Sequence, residues 1–109
     1  MPIIMTHATY SPAGIKGLAQ EGGTKRKAAV KQMVEATGGK LHAFYFAYGD
    51  SDVVIIAEYP DNATAAAAAL TVGAAGVLSS YRSMVLITPD EMDAATKKTV
   101  KYVGPGAQG

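Results

Sequence analysis

The sequence predicts an α+β domain in which a four-stranded antiparallel sheet carries two main helices. The first observation is a β-hairpin pattern: apolar, strand-prone segments at residues 41–47 and 53–57 flank the short turn Tyr48-Gly49-Asp50-Ser51-Asp52. The second is that a helical pattern precedes the hairpin and another follows it, each next to a further strand candidate. With 109 residues, the chain is long enough for one domain with one core.

The first half of the chain begins with a strand candidate at residues 2–10. A helix is predicted to start at Pro12, because Ser11 is a preferred N-cap residue and proline suits the first helical position. The glycines at positions 22 and 23 are expected to break or kink this helix, and those at 38 and 39 to end it. The hairpin strands follow at residues 40–48 and 53–59.

In the second half, an alanine-rich helix is predicted to begin at Pro60-Asp61, and its small side chains predict a close approach of helix to sheet. A fourth strand is expected at residues 80–88. The run Thr88-Pro89-Asp90-Glu91 matches a capping box, which predicts a terminal helix that ends near Tyr102. We therefore expect one folded domain over residues 1–103 and a flexible tail over 104–109.

The element order β-α-β-β-α-β is that of the ferredoxin-like fold, which places both main helices on one face of the sheet. The third strand is nevertheless apolar on both sides, because Val53 and Ile55 alternate with Val54 and Ile56. The helices of one chain cover one face, so the other face needs a second cover. The sequence therefore predicts a homodimer, or a multiple of one, joined through the open sheet faces.

The composition of the chain limits the kinds of partner that it is expected to bind. The formal net charge is +1, and the one basic cluster, at residues 25–31, has no interleaved aromatics, which argues against nucleic-acid binding. The chain contains no cysteine, which excludes thiol catalysis and thiolate metal sites. The uncharged segment 62–81 is mostly alanine and small polar residues, which favours a buried helix over a membrane span. No basic leader followed by an apolar stretch is visible, so we expect a cytoplasmic protein.

Several spaced motifs resemble the GYD domain family. They are Tyr10-Ser11 with Gly14-Ile15-Lys16, then Gly38-Gly39-Lys40-Leu41, Phe44-Tyr45 and Gly49-x-x-Asp52-Val53-Val54. The resemblance covers roughly residues 3–92 and departs from the family at Ser51, where the family usually has an aromatic residue. It implies a dimeric α/β barrel, in which two sheets face each other around a shared cavity. Relatives of that wider fold include cofactor-free monooxygenases, lactone isomerases and haem enzymes, and fold alone does not choose among them.

The leading candidate for a catalytic residue is His7. It shares one face of the first strand with Thr9, and an imidazole in a cavity can act as a general base near neutral pH. The alternative interpretation is a hydrogen-bonded histidine in an interface. Tyr10, three residues further along, is a candidate for orienting a ligand.

The second strand supplies two more candidates for ligand binding. His42 is predicted to share a strand face with Phe44, Phe46 and Tyr48, a set that suits either a flat organic ligand or interface packing. Tyr45 would then point the other way, into the core. Both interpretations of the aromatic face stay open at this point.

Asp50 and Asp52 flank Ser51 in the hairpin turn. Two carboxylates this close can contact a ligand or a metal, but Asp and Ser are also preferred turn residues because they bond to nearby backbone. The chain has two histidines and no H-x-x-x-H or E-x-x-H spacing, so we expect no metal site and no cofactor.

These observations lead to two hypotheses of different class. The first is a cytoplasmic homo-oligomer that binds a small, partly apolar molecule between facing sheets, with any catalysis being cofactor-free acid–base chemistry at His7. The second is a non-catalytic assembly or regulatory module, whose hairpin turn serves packing alone. A weaker third hypothesis is haem binding, for which the two histidines permit an axial ligand without indicating one.

Overall fold

The computed structural model describes residues 1–107 and has the predicted α+β element order. The strands are β1 (Ile3–Tyr10), β2 (Lys40–Phe46), β3 (Val53–Glu58) and β4 (Leu78–Leu86). The helices are α1 (Pro12–Glu21), α2 (Gly23–Ala36), α3 (Asn62–Ala74) and α4 (Pro89–Thr96). Of the predicted flexible tail, residues 104–107 contain a turn, and residues 108 and 109 lie outside the described residues.

The four strands form one antiparallel sheet in the order β2-β3-β1-β4, which is the order expected for a ferredoxin-like arrangement. Side chains alternate between the two faces of the central strand β1. Ile4, Thr6 and Ala8 face α2 and α3, and Met5 and His7 therefore face away. We call the side that the helices cover the helix face, and the other side the open face.

The helix boundaries follow the capping residues that the sequence indicated. The Ser11 hydroxyl accepts a hydrogen bond from the Gly14 N–H at 3.1 Å and begins α1. Gly22, at φ +88°, separates α1 from α2, because few other residues adopt that conformation. The Asp61 carboxylate accepts from the Thr64 N–H at 2.7 Å and begins α3.

The core lies on the helix face, between the sheet and α2. Two clusters of buried side chains form it, one of Ala8, Phe44 and Val53 and the other of Val34, Ala57 and Tyr59. Val30, Leu41 and Ile55 contact both clusters and join them. The predicted core position of Tyr45 is wrong, since its side chain is 70% exposed and Phe44 is buried instead.

A β-bulge in β2 explains why Phe44 is buried and Tyr45 is exposed. The pairing with β3 shifts register between Leu41 and Ala43, so that one residue, His42, is left without a partner in the ladder. Beyond the bulge every side chain of β2 lies on the side opposite to the one that simple alternation from Leu41 would predict. Phe44 therefore joins the core.

The alanines of α3 predicted a close approach to the sheet, which the structure shows only in part: Ala65 and Ala68 pack against the core cluster of Val34, Ala57 and Tyr59. None of the residues of α3 is fully buried, and a cavity of about 310 Å³ lies between this helix, α2 and the helix face of the sheet. Alanine side chains are too short to fill the space at this helix–sheet separation. The predicted close approach of helix to sheet is therefore wrong for the positions that face the cavity.

The C-terminal segment is exposed throughout. Helix α4 begins at the predicted capping box of Thr88 and Glu91 but ends at Thr96, not near Tyr102. Every residue from Pro89 to Val103 is exposed, so no packing stabilises a longer helix, and short helices without packing are marginal in water. The radius of gyration, 17.6 Å, exceeds the value of about 13 Å typical of a compact chain of this length. This segment therefore projects from the body of the molecule.

No helix within residues 1–107 has both the length and the apolarity that crossing a bilayer requires. The uncharged segment that the sequence raised as a membrane candidate is divided between α3, the loop after it and β4.

We predict that Val34→Ala lowers the free energy of unfolding by about 2 kcal/mol, because Val34 is completely buried and the truncation leaves a void in the core. Urea denaturation followed by circular dichroism measures the change. Val100→Ala is the matched control: the side chain is 83% exposed, and its truncation should change stability by less than about 0.5 kcal/mol. Equal effects at both positions would contradict the core described here.

Candidate functional site

The cavity on the helix face is the candidate site, and we call it the helix–sheet cleft. Its floor is formed by β1, β3 and β4, and its walls by α2 and α3. The volume of about 310 Å³ is at the lower end of the range for small-molecule sites. Its lining is mostly aliphatic, with polar groups contributed by Thr6, Tyr10, Arg26, Tyr59, Tyr81 and Ser83.

The wall that α3 contributes is made almost entirely of alanine methyl groups. The lining residues of this helix are Ala65, Ala66, Ala68, Ala69 and Val72. Alanine favours the helix and leaves space in front of it, so the same composition that stabilises α3 also keeps the cleft open. The opposite wall, from α2, carries Ala29, Val30 and Met33.

A pair of hydroxyl groups lies on the floor of the cleft. Thr6 of β1 is directly opposite Ser83 of β4 in the antiparallel register, and their side-chain oxygens are 3.0 Å apart. Thr6 is only 7% exposed. The floor of this mostly aliphatic cavity therefore carries a hydrogen-bonding group that a ligand can reach.

Burial raises the pKa of the Tyr10 phenol, against the opposing influence of the nearby Arg26 guanidinium. It also raises the pKa of Tyr59. Both phenols therefore keep their protons at neutral pH and can donate hydrogen bonds, but they do not serve as bases there. Among the described residues that line the cleft there is neither a histidine nor a carboxylate. The arrangement supports binding more directly than proton abstraction.

Arg26 brings a charge to the rim of the cleft, but Glu21 compensates it. The guanidinium donates two hydrogen bonds to the Glu21 carboxylate, at 2.7 and 2.8 Å. This contact lowers the pKa of Glu21, so the pair stays ionised at neutral pH.

Of the residues predicted from sequence, Tyr10 lines the cleft and His7 does not. His7 lies on the open face, between Arg82 of β4 and Val54 of β3 in the register, and it is half-buried. An acid–base role for His7 therefore requires a ligand on the open face, not in the cleft.

His42 and Tyr48 are separated from the buried Phe44, although the sequence placed all three on one face. The Nε2 atom of His42 is 3.1 Å from Oε1 of Glu58, at the outer edge of the sheet. Tyr48 is fully exposed in the hairpin turn. The bulge in β2 breaks the alternation on which that prediction depended.

The two turn carboxylates have different environments. The Asp52 carboxylate accepts a hydrogen bond from the Tyr10 N–H at 2.9 Å, and the Asp52 N–H donates to the Ala8 carbonyl, also at 2.9 Å. Asp50, by contrast, is exposed. Residues 1–107 contain no group of three or more His, Cys, Asp or Glu side chains that could hold a metal ion.

Ser51 is buried and sits between these carboxylates. Its hydroxyl accepts a long hydrogen bond, 3.4 Å, from the Arg82 guanidinium. At this position, where the family resemblance led us to expect an aromatic ring, the chain has a small polar contact to β4.

The sequence reasoning missed Thr6, Ser83, Tyr59 and Tyr81. A signal for Thr6 was present, because it is a polar residue between Ile4 and Ala8 on one face of a central strand. Ser83 gave no such signal, since its partner is 77 positions away.

We predict that Asp52→Ala lowers the free energy of unfolding by about 1–3 kcal/mol, because the Tyr10 N–H loses its charged acceptor at the end of the central strand. Thermal and urea denaturation measure the loss. Asp50→Ala, in the same turn but exposed, is the control and should change stability by less than about 0.5 kcal/mol. A larger loss at Asp50 than at Asp52 would contradict this assignment.

Comparison with known proteins agrees with the resemblance noted from the motifs. None of the curated protein sequences matches this chain. The chain is similar to that in the crystal structure of the NE2512 protein of unknown function from Nitrosomonas europaea, with 21% identity and a TM-score of 0.45. The match covers 80% of this chain and 89% of that chain. The sequence model of the GYD domain matches residues 4–96, nearly all of the folded part, and this protein therefore belongs to the GYD domain family.

Proposed function

We propose that this protein binds a small, largely apolar molecule in the helix–sheet cleft of each protomer. The observation that carries the proposal is the cleft itself: a cavity of about 310 Å³ with mostly aliphatic walls and, on its floor, a hydroxyl pair of which Thr6 is buried. A concave, mostly apolar cleft with a few polar groups is the usual form of a small-molecule site. A ligand that fills it supplies the contacts that the alanine wall lacks.

The sequence-based hypothesis put the ligand elsewhere, between the facing sheets of a dimer. That location depends on a second copy covering the open face, and two features support such an assembly. The open face carries an apolar row across the sheet, formed by Met84, Met5, Ile56 and Ala43 in register. Met84 at the edge is 53% exposed. Apolar rows on an uncovered sheet face are typical of interfaces.

We therefore propose a homodimer that joins through the open faces and leaves both helix–sheet clefts accessible. In this dimer His7 lies in the interface, which is the alternative interpretation of that residue given by the sequence. Acid–base chemistry at His7 would need a ligand enclosed between the sheets. The cleft contains groups that can bind a ligand but none that acts as a base at neutral pH. We therefore propose that the primary function of the protein is binding.

The main alternative is an assembly or regulatory module with no small-molecule ligand. The exposed C-terminal segment favours it, because this segment presents Ile87, Met92, Val100 and Tyr102 to solvent, each at least half exposed. Haem binding has less support: neither histidine lines the cleft, so an axial imidazole ligand would have to lie on the open face or at the sheet edge.

We predict that Ala69→Phe abolishes binding of 2-naphthol, a two-ring probe, while the protein stays folded. Ala69 lines the cleft, and an aromatic ring there occupies the space that a ligand would take. Filling a cavity stabilises a protein by about 0.5–2 kcal/mol, so the melting temperature should hold or rise. Equilibrium dialysis measures binding. Ala67→Phe, on the exposed side of the same helix, should bind as the unmodified protein does.

Binding of 2-naphthol that is equal in both variants would remove the cleft as the site. Binding that is lost in both would indicate that α3 tolerates no aromatic substitution, and the melting temperatures would show this.

We predict that the unmodified protein sediments at about twice the chain mass of 11.2 kDa at micromolar concentration. Ile56→Lys should convert it to a monomer, because Ile56 lies near the centre of the open face and a dimer would bury the new charge. Ala28→Lys, on the exposed side of α2, is the control and should leave the mass unchanged. A monomeric unmodified protein would contradict the proposed assembly.

A further inference from the structure

The charges around the helix–sheet cleft are balanced before any ligand enters. Among the described lining residues, Arg26 is the one that is ionised at neutral pH, and both oxygens of Glu21 hold its guanidinium. An anionic ligand would have to compete with Glu21 for that contact. A cationic ligand would find no lining carboxylate. Moving an unpaired charge into such surroundings is costly, so the cleft favours a neutral molecule.

The floor of the cleft has hydrogen-bonding capacity left over. Each hydroxyl of the Thr6–Ser83 pair has one hydrogen to donate and two lone pairs, and the bond between them uses one hydrogen and one lone pair. One hydrogen and three lone pairs remain, and Thr6 is too buried to satisfy its share with bulk water. A single hydroxyl or carbonyl oxygen on a ligand can bond to this pair.

The size and the walls limit the rest of the ligand. A cavity of about 310 Å³ holds roughly ten to fifteen non-hydrogen atoms at the packing density of protein interiors. The alanine methyl groups of α3 form a wall with no long side chain to interdigitate, which suits the flat face of a ring system.

We infer that the ligand is a neutral ring compound of this size with one hydroxyl or carbonyl oxygen, which bonds to the Thr6–Ser83 hydroxyl pair. This inference rests on the proposed function of the cleft. It adds the charge state of the ligand and the residues that recognise its oxygen.

Three probes of one shape test the charge and the oxygen separately. Naphthalene has the rings alone, 2-naphthol adds a neutral hydroxyl, and 2-naphthoate adds a negative charge. Equilibrium dialysis at pH 7 should give 2-naphthol a dissociation constant about fivefold lower than that of naphthalene, the effect of one hydrogen bond. The dissociation constant of 2-naphthoate should be at least tenfold higher than that of 2-naphthol.

Variants then test the assigned residues. In the double variant Thr6→Val, Ser83→Ala, naphthalene should bind within about twofold of its original affinity, whereas the preference for 2-naphthol should disappear. Thr9→Val is the matched control, because Thr9 lies on the same strand but on the open face, and it should keep the preference. If the double variant does not fold, Ser83→Ala alone, at an exposed position, should reduce the preference.

The outcomes separate this inference from the proposed function. Binding of 2-naphthoate as tight as that of 2-naphthol overturns the neutral-ligand inference and leaves the cleft as a binding site. A preference for 2-naphthol that survives in the double variant overturns the assignment to Thr6 and Ser83. Failure of all three probes to bind the unmodified protein overturns the proposed function, and this inference with it.

Discussion

The alternation of side chains along the central strand β1 determines how the whole molecule is divided. Thr6 and Ala8 face the helices, where Ala8 belongs to the core and Thr6 to the floor of the cleft. Met5 and His7 face the opposite side, which no element of the same chain covers. The strand pairs with β3 on one side and β4 on the other, so a one-residue shift in its register would exchange cleft residues for open-face residues across the sheet.

The hairpin turn that carries the family's motif holds this strand in place. Gly49 has φ +133°, a conformation that few other residues adopt, and Asp52 follows it closely enough to reach β1. Its carboxylate and its own N–H bond to the Tyr10 N–H and the Ala8 carbonyl, so one residue contacts the strand at two points. Tyr10 in turn lines the cleft. The turn residues 48–52 do not themselves line the cleft, and Asp52 instead supports the strand that forms its floor.

Much of this architecture could be predicted from the sequence because its signals are local. The caps of Ser11 and Thr88, the glycine break between α1 and α2, and the hairpin each depend on residues a few positions apart. The strand order followed from the order of those elements and general rules of connection.

The features that the sequence did not predict depend on how distant parts of the chain come together. The bulge at His42 reversed the expected sides of Phe44 and Tyr45, because a single unpaired residue inverts the pattern beyond it. The space under α3 depends on how far the helix stands from the sheet, which alanine content alone does not specify. The Thr6–Ser83 pair joins residues from opposite ends of the chain, so only the fold reveals it.

We propose that a small molecule binds in the helix–sheet cleft and not on the open face. A crystal structure of the protein grown with 2-naphthol distinguishes the two locations, because it shows where the ring lies independently of any change in affinity. We expect electron density for the ring between α3 and the sheet, with its oxygen within hydrogen-bond distance of Thr6 or Ser83. Density for the ring against His7 on the open face, with the cleft empty or filled by side chains, would contradict the proposal.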